Sequence, residues 1–152
     1  MKRDSAREIA IQIVYGAALT GSAFTDFAEH FLADEHYASL AEEEELAELY
    51  DKGFDKQTDY LNSVISAVND NLSEIDARIE KHAHGWSLSR ISGTALAVLR
   101  VCTAEILYLD DVPDSAAINS AVEISKGYDD EQTVSFINGV LGSIVRERDS
   151  AE

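Results

Sequence analysis

Cysteine, proline and tryptophan each occur once in this chain of 152 residues, as Cys102, Pro113 and Trp86. A lone cysteine makes no intramolecular disulfide and no cysteine-based zinc site, so neither staple holds the fold, and such scarcity fits a reducing compartment. With one proline and glycines that never cluster, little interrupts helix propagation. Positive charge is also scarce. The chain has 12 Lys plus Arg against 29 Asp plus Glu, a formal charge of -17, which at long range repels nucleic acid and anionic membranes. A local basic patch still engages phosphate where its neighbours are screened over about 8 Å at physiological salt. No run approaches the roughly 20 apolar residues that cross a bilayer, and the amino terminus lacks the basic-then-apolar layout of a secretory signal. These absences predict a soluble cytoplasmic protein with no membrane contact.

What is present is a composition able to build a core, with 45% hydrophobic and 27% charged residues. No internal repeat, proline-rich linker or Gly/Ser tract divides the sequence, so residues 1–152 are read as one unit. The expected class is all-α, with about seven helices. Ala6, Ile9, Ala10, Ile13, Val14 and Ala17 recur at the spacing of one helical face and predict a helix over 3–20, weakened near its end by Gly16 and Gly21. Ser22 or Thr25 is the candidate cap of a second helix carrying Phe24, Phe27, Ala28 and Phe31 and ending near Asp34.

Residues 34–59 read as a solvated acidic helix, with Glu42 to Glu45 followed by Leu46, Leu49 and Tyr50. They lack the Asp-x-Asp-x-Asp-Gly pattern of a calcium loop. Tyr60, Leu61, Val64, Ile65, Val68 and Leu72 form the next stripe, and Ser73 opens a short helix through Ile75 and Ile79. After a polar, turn-like stretch around Gly85, a helix from Ala95 to Leu109 is apolar over much of its circumference and is expected to lie centrally. Pro113 stops it, and Asp114 or Ser115 is the candidate cap of a helix through Ala117, Ile118, Ala121 and Val122. Gly127 is the expected left-handed terminator of that helix. Asp129, Asp130 and Glu131 favour the start of a last helix through Val134, Ile137, Val140, Leu141, Ile144 and Val145, which frays after Arg148.

No nucleophile paired with a base, phosphate loop, dinucleotide fingerprint or metal cluster is found, so no enzyme, cofactor or metal is expected. His82 and His84 are two apart and point to different sides of any helix, and Cys102 falls in an apolar stripe as a core residue. The scarce cations are more informative. Lys2, Arg3 and Arg7 crowd a helix start, where the dipole disfavours them. Two readings stay open: the stray charges of an ordinary terminus, or a site for phosphate.

Beyond composition, an ordered set of motifs resembles the NusB transcription antitermination family. It consists of Ala6-Arg7-Glu8 with Tyr15, then Gly85-Trp86 and Arg90, Ala97-Val98-Leu99-Arg100 with Glu105, and Asp111-Val112-Pro113. It continues through Ala117-Ile118-Asn119, Ala121-Val122-Glu123, Lys126 and Phe136-Ile137-Asn138-Gly139-Val140-Leu141. The likeness spans nearly the whole chain and is most specific over 85–145. It implies two small helical bundles packed together. It also implies a non-catalytic factor that binds the boxA element of nascent ribosomal RNA with NusE, a small-subunit ribosomal protein, within an RNA polymerase antitermination complex.

By the same resemblance, Lys2, Arg3 and Arg7 contact phosphate, Gln12 and Tyr15 lie near them, and Gln132 and Phe136 read single-stranded RNA. Tyr15 also reads as a packing residue. Ala95, Leu96 and Arg100 mark the partner face, while Arg100 and Glu105 read equally well as buried structural groups. The chain departs from the family pattern at Asp4, at Ala95 and Leu96 where no acid stands, at Ser120 and at Gly142. One alternative is a helical interaction module of the same fold with little RNA binding, as the net charge suggests. An accessory domain of a ribosomal RNA methyltransferase lacks the length for a methyl-donor domain. A homodimer using the partner face is a further alternative.

Overall fold

The structure is a computed structural model describing residues 2–33 and 52–151. The acidic stretch with Glu42 to Glu45, Leu46, Leu49 and Tyr50 lies outside the described residues. Seven α-helices are described: α1 (Arg3–Thr20), α2 (Phe24–Ala33), α3 (Lys52–Asp70), α4 (Leu72–His82), α5 (Gly93–Tyr108), α6 (Asp114–Ser125) and α7 (Glu131–Ala151). A single 3-10 turn, Leu88–Arg90, precedes α5. No strand occurs among the described residues. α1, α2 and α3 pack on one another, as do α4, α5, α6 and α7, and α5 joins the two groups by lying against both α1 and α3. This is the two-bundle, all-α arrangement that the motifs imply.

The apolar stripes bury as their spacing dictates. Ala6, Ile9, Ala10, Ile13, Val14 and Ala17 face inward from α1, Val64 and Val68 from α3, and Ile137, Leu141 and Ile144 from α7. Each fully buried Leu or Ile contributes about 1.5–3 kcal/mol relative to exposure. The central helix is α5, whose buried positions run almost continuously from Ala95 to Ile106 and include Thr103 and Glu105. A helix buried on most sides must satisfy any polar group it carries, and this constraint shapes the site below.

Several helix ends differ from the expected signals because their partners are remote in sequence. The α2 start is satisfied by neither Ser22 nor Thr25; the Phe24 N–H donates to Asn69 Oδ1 at the end of α3, 3.2 Å away. α4 begins at Leu72 rather than at Ser73, and Asn71 turns its amide back to the Ala67 carbonyl at 3.0 Å. Asp114 makes no cap; both its oxygens accept from Arg148, at 2.9 and 2.5 Å. Arg148 also donates to the Ile106 carbonyl, which carries α7 on to Ala151 instead of fraying.

Gly127 is not left-handed: α6 closes at Lys126 in right-handed geometry, with the Tyr128 and Asp129 N–H groups both donating to the Ser125 carbonyl. The left-handed glycine that ends a helix is Gly21, at φ 74°, whose N–H donates to the Ala17 carbonyl. Gly16, which reads as a weak point of α1, permits close approach of α2, since a Cβ there would lie 2.3 Å from the Phe27 ring.

Candidate nucleic-acid interface

Arg7 is 2% exposed and points into the protein, not toward phosphate. Its Nε donates to Glu105 Oε2 at 2.8 Å and its Nη2 to Glu105 Oε1 at 2.6 Å, while Nη1 donates to Asp4 Oδ1 at 3.0 Å. Glu105 is fully buried in α5. Burial opposes the guanidinium charge, but the hydrogen bond and charge of Glu105 outweigh it, so the Arg7 pKa is raised. The beginning of α1 is thereby pinned to the end of α5, and Arg7 is withdrawn from the RNA-contacting set. Ile11 and Val14, four and seven residues on, are buried on the same side of α1, so the apolar face is wide enough to include position 7.

Arg3 is half-buried, donates to Gln57 Oε1 at 2.8 Å, and holds its guanidinium 4.4 Å from the Tyr60 ring centroid. The adjoining cleft, about 690 Å³, is also lined by Asp59, Asp110 and Asp111, whose charges repel phosphate. Lys2 is exposed. Arg78, Lys81, Arg100, Lys126 and Arg148 are all paired with carboxylates. Among the described residues, Lys2, Arg3, Arg90 and Arg146 make no ion pair.

The opposite end of α1 is different. Glu8, Gln12 and Tyr15 share one face, which runs beside the loop between α6 and α7. The Tyr128 hydroxyl donates to Glu8 Oε1 at 2.8 Å. The Tyr128 pKa is raised, first by burial, with Gln12 and Glu8 as its hydrogen-bonding neighbours. Tyr15 lies against Gly93, where a Cβ would come within 2.8 Å of the ring, yet it remains 38% exposed. It is therefore both packed and available.

Gly93 opens α5, and beside it Ser92 and Thr94 donate their hydroxyls to Asp129, at 3.1 Å from Ser92 and 3.0 Å from Thr94 to its nearer oxygen. That carboxylate sits at the positive end of the α5 dipole and ties the α6–α7 loop to it. The neighbouring Asp130 caps α7, accepting from the Thr133 N–H at 2.8 Å.

Next to this junction opens a cleft of about 270 Å³, lined by Trp86, Arg90, Ser92, Gln132, Thr133 and Phe136, with one carboxylate, Asp130, and with Ile91 and Ala95 also contributing. The Trp86 and Phe136 rings meet at a centroid distance of 5.9 Å, tilted by 50°. Gln132 is exposed and Phe136 half-buried, so the two α7 residues expected to read RNA share one opening. Lys2 and Arg3 lie at the far end: Arg3 and Tyr15 are separated by about 18 Å of helix at 1.5 Å per residue.

The expected partner face is reduced. Ala95 is fully buried and unable to touch a partner. Leu96 is half-buried, and Arg100 is held by Asp76 through two 2.9 Å bonds. His82 lies 3.3 Å from Glu147, and no cluster able to hold a metal occurs among the described residues. Cys102 is buried, and burial, followed by the charge of Glu105, pushes its thiol pKa well up, which leaves it inert.

The sequence carries Trp86 and Arg90 in the motif set without giving them a role, assigns Asp129 to the start of the last helix rather than to α5, and offers no signal for Tyr128. The available signal was a lone tryptophan directly after a glycine in a polar stretch, a setting in which burial is not the default.

Fold and cleft together define an all-helical protein whose open cleft beside α5 and α7 is aromatic and amide-bearing rather than broadly basic. The NusB family model matches residues 4–146, and the chain belongs to the NusB family. It is 36% identical over 146 residues to the transcription antitermination protein NusB of Acetivibrio thermocellus, covering 96% of this chain and 90% of that one. The structure of T. maritima NusB superposes with a TM-score of 0.78 at 29% identity, over 97% of this chain and 92% of that one. NusB in a complex of antitermination factors NusB and NusE with double-stranded RNA has the same fold, with a TM-score of 0.76 at 23% identity, over 95% and 96% of the two chains.

Proposed function

We propose that this chain is a transcription antitermination factor, non-catalytic and cofactor-free, that binds boxA-like single-stranded RNA of nascent ribosomal transcripts together with NusE. The whole chain, 1–152, acts as one unit in the cytoplasm and joins an RNA polymerase antitermination complex through that pair. The observation that carries the reading is the shared opening of Gln132 and Phe136, with Tyr15 and Gln12 beside the same junction. Single-stranded RNA is read by stacking on flat side chains and by hydrogen bonds to base edges, and this end of the molecule offers both.

Because six of the twelve Lys and Arg, the buried Arg7 among them, are paired with carboxylates within the described residues, RNA affinity of the chain alone is weak, and the basic partner supplies much of the phosphate neutralisation. Excess negative charge on this chain steers such a partner into encounter. Leu96, with Arg100 one turn further along α5, remains the proposed partner contact. The second reading, an interaction module with little RNA binding, is favoured by one observation: the acidic lining around Arg3.

Titrating labelled boxA-like RNA and a scrambled control, with and without NusE, at two salt concentrations, separates the readings. Sequence-preferring binding that tightens with NusE supports antitermination. Association with NusE and no RNA binding selects the interaction module.

A further inference from the structure

We infer that Trp86, braced by Phe136, is a stacking platform for one unpaired base of the RNA, with Arg90 at its edge; this rests on the RNA-binding reading above. Trp86 is the only tryptophan of the chain and is 51% exposed, an unusual position for the largest apolar side chain in a protein of this size. Its position is built rather than left to a floppy loop. Ala83 is buried, the Trp86 N–H donates to the Ala83 carbonyl at 3.2 Å, and the two residues between, His84 at φ 39° and Gly85 at φ 90°, are both left-handed. Two positive φ angles inside a four-residue turn mark a type I′ turn, tight enough to fix where the following ring emerges.

The ring emerges against Phe136 at 5.9 Å, too close to admit a base between the two, so a base is received on their exposed faces and extends the aromatic surface. The opening, about 270 Å³, falls below the roughly 300–1,000 Å³ of pockets for drug-sized ligands and suits a single planar ring system. Around it stand the Gln132 amide, the Thr133 side chain and the Arg90 side chain, donors and acceptors of the kind that read base edges, while the Ser92 hydroxyl is engaged by Asp129 and the Asp130 carboxylate keeps phosphate to the Arg90 side. Arg90 makes no ion pair among the described residues, whereas Arg7, Arg78, Lys81, Arg100, Lys126 and Arg148 do, so it is available to a phosphate or a ring. Tyr15 and Gln12 continue the surface along α1, giving a strand a path away from the cleft.

A chain grown with 5-fluorotryptophan gives one fluorine resonance, from Trp86, and unlabelled NusE adds none. Adding boxA-like RNA to the complex is expected to shift or broaden that resonance saturably. Trp86→Leu, which keeps apolar bulk at the turn, is expected to weaken RNA binding about tenfold, equivalent to about 1.4 kcal/mol, and Trp86→Phe by less than threefold.

RNA binding by the complex with the resonance unmoved, and with Trp86→Leu equal to the parent chain, overturns the platform while leaving RNA binding intact. A resonance that moves on adding NusE alone and not on adding RNA also overturns it, assigning Trp86 to the partner face. Absence of RNA binding by the unsubstituted complex overturns both the platform and the antitermination reading. If Trp86→Leu fails to fold, the resonance of the unsubstituted chain decides alone.

Discussion

α1 and α5 run side by side in opposite directions, and their two common ends have little in common. At one end Arg7, which looks free in the sequence, is consumed by Glu105, and Arg3, held by Gln57 and the Tyr60 ring, borders a cleft lined by Asp59, Asp110 and Asp111. At the other end Tyr15 lies on Gly93, and beyond it Trp86, Phe136 and Gln132 open to solvent with Arg90 unpaired among the described residues. The first end holds the bundles together; the second is the one proposed above for recognition. The number of cations in a segment therefore says little about how many can meet phosphate, and in a chain of charge -17 the internal partners outnumber any external ones.

The largest effect that probes this contrast is on stability. Arg7→Ala leaves Glu105 buried without a partner and is expected to cost about 3–5 kcal/mol in urea unfolding. Replacing both, as Arg7→Met with Glu105→Leu, is expected to recover much of that loss, since removing an ion pair whole costs less than breaking it. A parent-like unfolding midpoint for Arg7→Ala would place Arg7 back at the surface.

A smaller effect concerns the tie between α4 and α7. Glu147 accepts hydrogen bonds from Arg78 and Lys81 and faces His82. Its pKa is lowered from 4.5 to about 2, chiefly by the Lys81 hydrogen bond and next by His82. A depressed carboxylate contributes stability that is present above its unfolded pKa and lost as pH falls through the folded value. Stability of the parent chain is therefore expected to fall between pH 4.5 and 2 more steeply than that of Glu147→Gln, measured by denaturant midpoints across that range. Because this group is near solvent, the difference is small.

The smallest effect is at Lys2, which is exposed. Lys2→Ala is expected to reduce the slope of log affinity against log salt by about 0.7 if it neutralises one phosphate of a single strand, and by nothing if it is a stray terminal charge.

Much of the fold is legible in the sequence because spacing alone decides which face of a helix is apolar; the stripes of α1, α3, α5 and α7 bury as their periods require, and α5 is central because it is apolar nearly all round. What spacing does not contain is the partner of a polar group. Arg7 and Glu105 are 98 residues apart, Asn69 closes the start of α2, and Arg148 takes Asp114 away from a capping role. Gly127 carries a termination signal that the Ser125 carbonyl makes unnecessary by accepting two later N–H groups.

The candidate site is legible in the same uneven way. Gln132 and Phe136 come together, since both lie on one helix a turn apart. Ala95 and Arg7 fail as contacts because burial on the far side of a helix is set by its neighbours. Trp86 has no period to place it; only the left-handed turn at His84 and Gly85 does that.

The most direct test compares the two ends in one titration. Labelled boxA-like RNA is added to the NusE complexes of the parent chain, Phe136→Ala and Arg3→Ala at one salt concentration. Loss of about tenfold in affinity for Phe136→Ala, within the roughly 1–3 kcal/mol of base stacking, with less than twofold for Arg3→Ala, is the predicted result. A tenfold loss for Arg3→Ala with Phe136→Ala unchanged would contradict it and return recognition to the basic amino terminus.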